Sequence, residues 1–533
     1  MNFKLRSLVA ATLAGSMLMG FGANAMADST DDILNALIAK GVLTEEEGAL
    51  LQKGRTGEKE AAEAKKKTSV SAKNKDGSVV FETGDGKNSM ALTGRLHFDA
   101  RSVDTNATSA NSITLVDKDS TSLADQFEIR RARIGVKGKM FEHFDYEVIG
   151  NLVGSNTNTI DVAYVNAGML KQAQVKIGQF KQPFNLEEYG TSSNNIDFME
   201  RSYVNQLSPA KKPGFMLHGV PTAGITYAGS VYQQNAFGEV DAENTGKGFA
   251  GRVTGNLAEL AGWKDSVFHV GVAGFDSEYG VTPTTSSSGG TATSATIVNF
   301  RTEGRGIANA YRAQIGGTTA TSGFSAPSPN TASMKNKAYG LELAAAHGPF
   351  KIQGEFTDQT FDASSPTGTQ LLPGTPNTAS LDAKAYYVEA LWMLTGENYS
   401  DWYKNGAWGG IKPNSNFDIE TGKGKGAWEI GLRYDAYDVT NVAYNAAGTA
   451  TNLNRVQGSS ANVAGGSSTF NATGANGGAK TYTVGIKWQL TPNMRMLANY
   501  SHTKFDNTFT MVDTAIAGIS KEDLLMLRTQ FSF

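Results

Sequence analysis

The end of the chain is its most restrictive feature. Counting back in twos from Phe533 gives Phe531, Thr529, Leu527 and Leu525, while the intervening Ser532, Gln530 and Arg528 are polar. A period of two is the signature of a strand, with one greasy face and one wet face. An amphipathic strand that closes the chain on an aromatic residue suits the last strand of a bacterial outer-membrane barrel. The terminal Phe533 also resembles the signal read by the assembly machinery of that membrane. The same alternation recurs far upstream. Gly94, Leu96 and Phe98 alternate with Arg95, His97 and Asp99; Trp428, Ile430, Leu432 and Tyr434 with Glu429, Gly431, Arg433 and Asp435; Tyr482, Val484, Ile486 and Trp488 with Thr483, Gly485 and Lys487. Many strands carry Tyr or Trp toward one end, as a girdle at a membrane interface requires.

No segment after the N-terminus approaches a continuous apolar helix, so an inner-membrane protein is excluded. With no cysteine in 533 residues, an exported chain needs another source of stability. Barrel closure supplies it by pairing every strand edge. The expected fold is therefore all-β: a transmembrane antiparallel barrel of about 16 strands, preceded by a periplasmic helical segment.

The N-terminus has the form of a secretory signal. Lys4 and Arg6 precede an apolar stretch from Leu8 to about Phe21, and Ala25-Met26-Ala27 is a small-x-small cleavage site. The stretch is short for a span, which needs ~20 residues. Residues 1–27 are thus read as a signal peptide for Sec export, with Asp28 as the mature start. The formal charge is −3, and loss of Lys4 and Arg6, with no acid before Ala27, makes it −5. That is too mild a charge to imply a nucleic-acid partner.

Residues 28–54 read as helical. Ile33, Leu34, Leu37 and Ile38 fall at helical spacing, Gly41 interrupts, and Thr44 with Glu47 forms a capping box leading into Leu50 and Leu51. A single apolar stripe needs a partner. A trimerising coiled coil, a tether to peptidoglycan and a plug against the barrel all satisfy it. Residues 55–77, with Lys65-Lys66-Lys67, read as a charged linker, and 78–533 as the barrel.

The connections are unequal. Glu142-His143, Gly348-Pro349 and Pro492-Asn493 are tight turns, whereas Gly280–Asn336, Asp358–Leu381, Gly396–Lys425 and Thr440–Ala479 are long and rich in Gly, Ser, Thr, Asn and Ala. Short periplasmic turns and long outer loops are the barrel arrangement, so all four long stretches are read as outer loops.

If the apolar alternate positions face lipid, then Arg95, Arg101, Arg131, Arg133, Lys137, Arg252, Lys351, Arg433, Lys487, Arg495 and Arg528 face the lumen. Fixed guanidinium groups can replace the hydration that an anion loses in a narrow pore, and their fork matches phosphate oxygens. Lumen-facing acids are nearly as numerous: Asp99, Asp145, Glu147, Asp161, Glu342, Glu355, Glu389, Glu429 and Asp435.

A family resemblance sharpens this reading. The run Phe127-Glu-Ile-Arg-Arg-Ala-Arg-Ile134 with Gly138 and Tyr146, then Ile160-Asp-Val-Ala-Tyr-Val165, Ile177-Gly-Gln-Phe-Lys-Gln-Pro-Phe184 and Phe198-Met-Glu-Arg-Ser202, resembles the phosphate-selective porin O and P family. The resemblance implies a homotrimer of 16-stranded barrels, each with a long third loop folded inward. It makes Arg130 and Arg131 counterparts of paired wall arginines and Asp161 a pore aspartate. Strict alternation sets Arg130 and Arg131 on opposite faces, so a bulge or a trimer-interface position is needed to reconcile them.

The presumed inward loop, about 182–213, begins at Pro183 and carries Glu187, Glu188, Asp197 and Glu200 against Lys181, Arg201, Lys211 and Lys212. Phe184, Phe198 and Met199 are expected to anchor it. Arginines on the wall facing carboxylates on the loop would give a transverse field, and no lysine cluster can be placed from the sequence. Enzyme signatures are missing: the Gly422–Gly426 run is not followed by a helix, and six histidines show no paired metal spacing. No cofactor or metal is expected. The functional expectation is passive diffusion of small hydrophilic solutes through the outer membrane, with preference for anions such as phosphate. The alternatives are a weakly selective general porin and a structural tether between outer membrane and cell wall.

Overall fold

A computed structural model describes residues 46, 69–75, 77–106, 125–153, 160–234, 246–281, 284–285, 293–315, 332–365, 377–445, 476–511 and 516–533. The stretches read as a signal peptide (1–27), as helical (28–54) and, for the most part, as linker lie outside the described residues, Glu46 excepted. Within the stretch read as linker, Val70–Lys75 is instead a strand, built on the alternation of Val70 and Ala72 with polar neighbours.

Where the sequence alternates, the chain forms long antiparallel strands. The main sheet has 18 strands; setting aside Val70–Lys75 and Ser78–Thr83 leaves sixteen. We number these β1 (Ser89–Thr105), β2 (Gln126–Met140), β3 (Phe144–Asn151), β4 (Ile160–Leu170), β5 (Ala173–Lys181), β6 (Lys211–Thr222), β7 (Ile225–Gln233), β8 (Lys247–Asn256), β9 (Ser266–Val281), β10 (Ala332–His347), β11 (Phe350–Ser365), β12 (Asn377–Met393), β13 (Ala427–Asn445), β14 (Gly477–Thr491), β15 (Met494–Met511) and β16 (Ile516–Ser532). Each pairs with its neighbour in sequence. β16 returns to β1 in the register Phe531↔Leu96 and Leu527↔Ala100, which closes the barrel. The terminal residue completes the seam: Gly94 N–H donates to Phe533 O at 2.9 Å and Phe533 N–H to Gly94 O at 3.1 Å. A Cβ at position 94 would lie 2.4 Å from the Phe533 ring, so only glycine lets the end of the chain dock there.

The two faces sort as the alternation requires. Leu96, Phe98, Ile134, Leu432, Val484, Leu525 and Leu527 are exposed on the outside, whereas Arg101, Arg433, Lys487, Arg495 and Arg528 are buried on the inside. Stacked Trp428 and Trp488 mark one end of the outer surface, and Tyr434 beside Tyr482 the other. Six residues separate Trp428 from Tyr434, about 20 Å along a strand, which fits within the ~25 Å apolar band of such barrels.

Tight turns after β2, β4, β6, β10 and β14 lie at one end of the barrel. Strand parity places the connection between β12 and β13 at that same end. The expectation that Gly396–Lys425 is an outer loop is therefore corrected: composition resembles the outer loops, but direction of travel is set by the strand count. The other three long connections are at the opposite end, and their flanking strands run further than expected, to Ser365 and Asn445 and from Ala332, Asn377 and Gly477.

Three segments enter the lumen among the described residues. The β5–β6 connection carries a short π-helical turn (Asn185–Tyr189) and a single helical turn (Tyr203–Gln206). The β9–β10 connection contributes a hairpin of Thr293–Phe300 and Tyr311–Ile315. From the short-turn end, the β12–β13 connection sends in a hairpin of Tyr403–Lys404 and Ala407–Trp408.

Candidate functional site

The inward loop is held by both grease and charge. Phe184 is fully buried, with its ring edge-on to Phe275 at 4.9 Å. Met199 packs with Leu497, Leu524 and Met526, and the Phe198 ring lies 4.5 Å from the Arg433 guanidinium. These are the anchors read from the sequence. The loop carboxylates then meet basic groups of the wall. Glu200 accepts from Arg130 Nε at 2.8 Å, Arg528 at 2.9 Å and Arg101 at 3.4 Å. Asp197 takes Lys351 at 2.6 Å and Lys487 at 3.5 Å. Glu187 lies 3.5 Å from Arg433, which also pairs with Glu303 of the β9–β10 hairpin.

Consequently Arg130, Arg433 and Lys487 are engaged by carboxylates. Their placement makes them braces for the loop, a change from the expectation that they stand open to solute. Arg495 donates to Gln530 at 3.0 Å and to the Ile196 carbonyl at 3.1 Å, again bracing the loop.

The other two inserts grip the loop from either side. Tyr203 meets Tyr437 edge-on at 4.8 Å, and Phe300 of the outer hairpin stacks on Tyr437 at 4.1 Å. From below, Trp408 N–H donates to Gly190 O at 3.0 Å, Arg252 donates to Gly406 O at 3.0 Å, and Lys351 sits 4.4 Å from the Trp408 ring.

A second set of basic groups gathers on the β1–β6 side. In register, Arg95 faces Arg133 and His97 faces Arg131; the next pair is Phe98↔Ile129, so Arg130 is an extra residue in β2. This bulge turns Arg130 inward beside Arg131, while Ile129 and Ile134 stay on the outer face. A second bulge does the same for Asp161: Ile149 pairs with Val162 and Gly150 with Ile160, leaving Asp161 unopposed in β4. Asp161 then accepts from Arg133 at 2.7 Å and from Lys211. Lys181 and Lys211, thirty residues apart in sequence, are register partners at the two ends of the loop. Lys181 donates to the carbonyls of Glu188 and Thr191, and Arg201 pairs with Glu188 at 3.0 Å.

The result is a cluster of Arg95, Arg131, Arg133, Lys181, Arg201 and Lys211 around Asp161 and Glu188. Arg95 donates to Ser193, and the charges that act most strongly on Arg131 are Arg130, Glu200, Arg133 and Arg201. The Arg131 side chain makes no hydrogen bond or ion pair with any of the described residues, its backbone being paired in the ladder opposite His97. Lys137 continues the same strand face opposite Glu147 and is exposed. Lys212 lies opposite Phe180, and its carbonyl accepts from Gln182 at 2.9 Å. Pro183 leads from β5 into the loop, ahead of Phe184.

Burial differs only slightly between the signs: Glu187, Glu188 and Glu200 are buried, and the Arg133 and Arg201 side chains, at 10% exposure, are little more open. Burial alone would push Glu188 up, but Arg201 and then Lys181 hold its carboxyl at about 2. Against the same penalty, Arg130 and Arg528 hold Glu200 well below the usual carboxylate range. Sequence reasoning missed Arg301 and Arg305 on the outer hairpin, because no periodicity marks that segment. Burial, then Arg130 beside it, pushes the Arg305 guanidinium down to about 10.

A family model for phosphate-selective porin O and P matches residues 91–533. The chain belongs to that family. It is an outer-membrane porin, a channel protein whose described residues include no cluster fit to hold a metal ion. Porin O of Pseudomonas aeruginosa is 26% identical over 404 residues, covering 72% of this chain and 78% of that protein. Among solved structures, the outer membrane channel DcaP of Acinetobacter baumannii is similar at 11% identity, with a TM-score of 0.43 over 84% of this chain and 97% of that one. An anion-selective porin from Comamonas acidovorans is similar at 10% identity and a TM-score of 0.41, over 84% of this chain and 100% of that one.

Proposed function

We propose that this porin conducts small hydrophilic anions, phosphate among them, past the Arg95–Arg131–Arg133 cluster, and that it works as a homotrimer. One observation carries the reading: the loop carboxylates are buried against their own bases, while Arg131 stands half-buried without a carboxylate of its own. A passing anion can then take hydrogen bonds from guanidinium groups already held in place, which offsets its lost hydration. Lys211 beside Asp161 and Lys181 beside Glu188 supply point charges at the same level, and Arg301 and Arg305 extend the basic surface toward the long-loop end. Trimer formation rests on family membership. Reversal potentials across planar bilayers in a potassium chloride gradient test the selectivity. An anion-selective potential is expected, together with block of chloride current by added phosphate. A cation-selective potential overturns the proposal.

A further inference from the structure

One lumen acid is seated unlike the others. Glu128 faces inward from β2 opposite Asp99 of β1, nearer the long loops than the His97–Arg131 pair. Its Oε1 lies 2.8 Å from Arg101 Nη2 and 4.0 Å from Arg305 Nη1. The shorter contact lacks hydrogen-bond geometry, and this oxygen has no hydrogen-bond donor among the described residues. The Glu128 side chain is 30% exposed, against 6% for Glu200 and 0% for Asp99. Glu200, by contrast, accepts hydrogen bonds from Arg130 at 2.8 Å and Arg528 at 2.9 Å. Asp99 accepts two from Arg528, each at 2.7 Å.

Arg101 does not depend on Glu128. Its Nη2 also reaches Asp99 at 3.1 Å and Glu200 at 3.4 Å. Removing a partner is costly where it strands a buried charge; withdrawing Glu128 strands none, because Arg101 keeps two carboxylates.

Around this acid, donors are in excess. The β9–β10 hairpin brings in Arg301, whose N–H donates to Gln206 Oε1 of the inward loop at 3.1 Å and whose carbonyl accepts from Gln206 Nε2 at 3.0 Å. On the same hairpin, Arg305 N–H donates to Thr302 O at 2.9 Å. Glu200, Arg130 and Arg101 act on both guanidiniums. Four arginines (Arg101, Arg130, Arg301 and Arg305) thus share Glu200 and Glu128. The Nε–H groups of Arg101, Arg301 and Arg305 are buried, and none has an acceptor among the described residues. Buried donors left unfilled cost free energy, and an oxyanion with several lone pairs can fill more of them than one loosely seated carboxylate does.

We propose that Glu128 is a specificity-determining residue of the pore: a tethered counter-charge that holds the place of a solute anion between Arg101 and Arg305, gives way to an entering oxyanion and hastens its release. The inference rests on reading the Arg95–Arg131–Arg133 cluster as the anion path. Conduction requires binding strong enough to draw an ion in and weak enough to let it leave. A fixed carboxylate repels a doubly charged phosphate twice as strongly as chloride, so Glu128 tempers the hold of the arginines on multiply charged solutes above all.

The test measures chloride current through the full-length porin in planar bilayers while phosphate is added, at a pH where phosphate is mainly dianionic. Glu128→Gln should lower the half-blocking phosphate concentration by about fivefold or more, the effect of a unit charge ~4 Å away even with the screening of bulk water. Glu147→Gln removes another half-buried lumen acid, opposite Lys137 and nearer the short turns, and should move it far less. Heat-modifiable migration on gels verifies that both variants are folded. A Glu128→Gln chain that does not fold would make Glu128 a brace and overturn the proposal. Equal shifts in the two variants overturn it as well, since any lumen acid would then serve. Phosphate block in wild type with no shift in Glu128→Gln takes down this inference alone, whereas a cation-selective wild type without phosphate block takes down the anion path and this inference with it.

Discussion

The two sides of the lumen solve the problem of buried charge differently. On the β11–β16 side, acids and bases are present in near balance and consume one another: Lys487 sits 2.7 Å from Glu429, Lys351 2.6 Å from Asp197, and Arg528 2.7 Å from Asp99. Aromatic side chains of two inserts fill the remaining space. On the β1–β6 side, Arg95, Arg131, Arg133, Lys181, Arg201 and Lys211 share Asp161 and Glu188, and the arginines remain half-buried. Paired charges buried in a low dielectric make a brace, because neither partner can leave without stranding the other. An unbalanced, partly solvated set makes a field that a mobile ion can feel. Identical residue types therefore serve as structure on one wall and as a candidate selectivity surface on the other.

Removing the loop between these sides should have the largest effect. Deletion of residues 190–208 should raise single-channel conductance severalfold and strengthen anion preference, since Arg130, Arg528, Lys351 and Lys487 would lose Glu200 and Asp197. Unchanged conductance would place the narrowest point elsewhere. Next in size, Arg131→Glu/Arg133→Glu should move the reversal potential toward cations by at least about tenfold in permeability ratio, equivalent to ~1.4 kcal/mol. Retained anion preference would show that the two sides do not differ in function.

The outer face gives a control for both. Ile134 is 49% exposed toward lipid, and Ile134→Lys should cost about 2–4 kcal/mol near the midplane. Urea unfolding should shift accordingly while surviving channels keep their selectivity. The smallest effect concerns pH. A depressed carboxylate stabilises the folded state above its unfolded pKa of ~4.3, and that contribution is lost as pH falls through the folded value. Glu188, held at about 2, stays ionised at pH 4. Conductance should therefore be level from pH 7 to pH 4 and rise only nearer pH 2. A rise already at pH 5 would mean that Glu188 is not clamped by Arg201.

Much of this contrast was legible in the sequence, because alternation carries it. The eleven basic residues assigned to the inner face, from Arg95 to Arg528, follow from counting in twos, and so do Ile134 and Leu527 on the outer face. Three things were not legible, each for a physical reason. The bulges at Arg130 and Asp161 break the period within one residue, and only the pairing of the neighbouring strand reveals them. Lys181 and Lys211 meet through register, which sequence separation hides. The inserts at 293–315 and 394–426 have no period at all. The composition of the 394–426 insert is that of an outer loop, yet strand parity sends it to the other end.

The bulge at Arg130 has a consequence for how this wall can change over generations. Within a regular strand, loss of one codon inverts every later side chain, sending arginines into lipid and isoleucines into the channel. At position 130 the arithmetic is reversed. Excising that residue would leave Ile129 outward and Arg131 inward, with the ladder to β1 restored to one-for-one pairing. The strand holds one spare place, where length can vary while the faces keep their meaning. Homologues with shorter second strands should show their gap there.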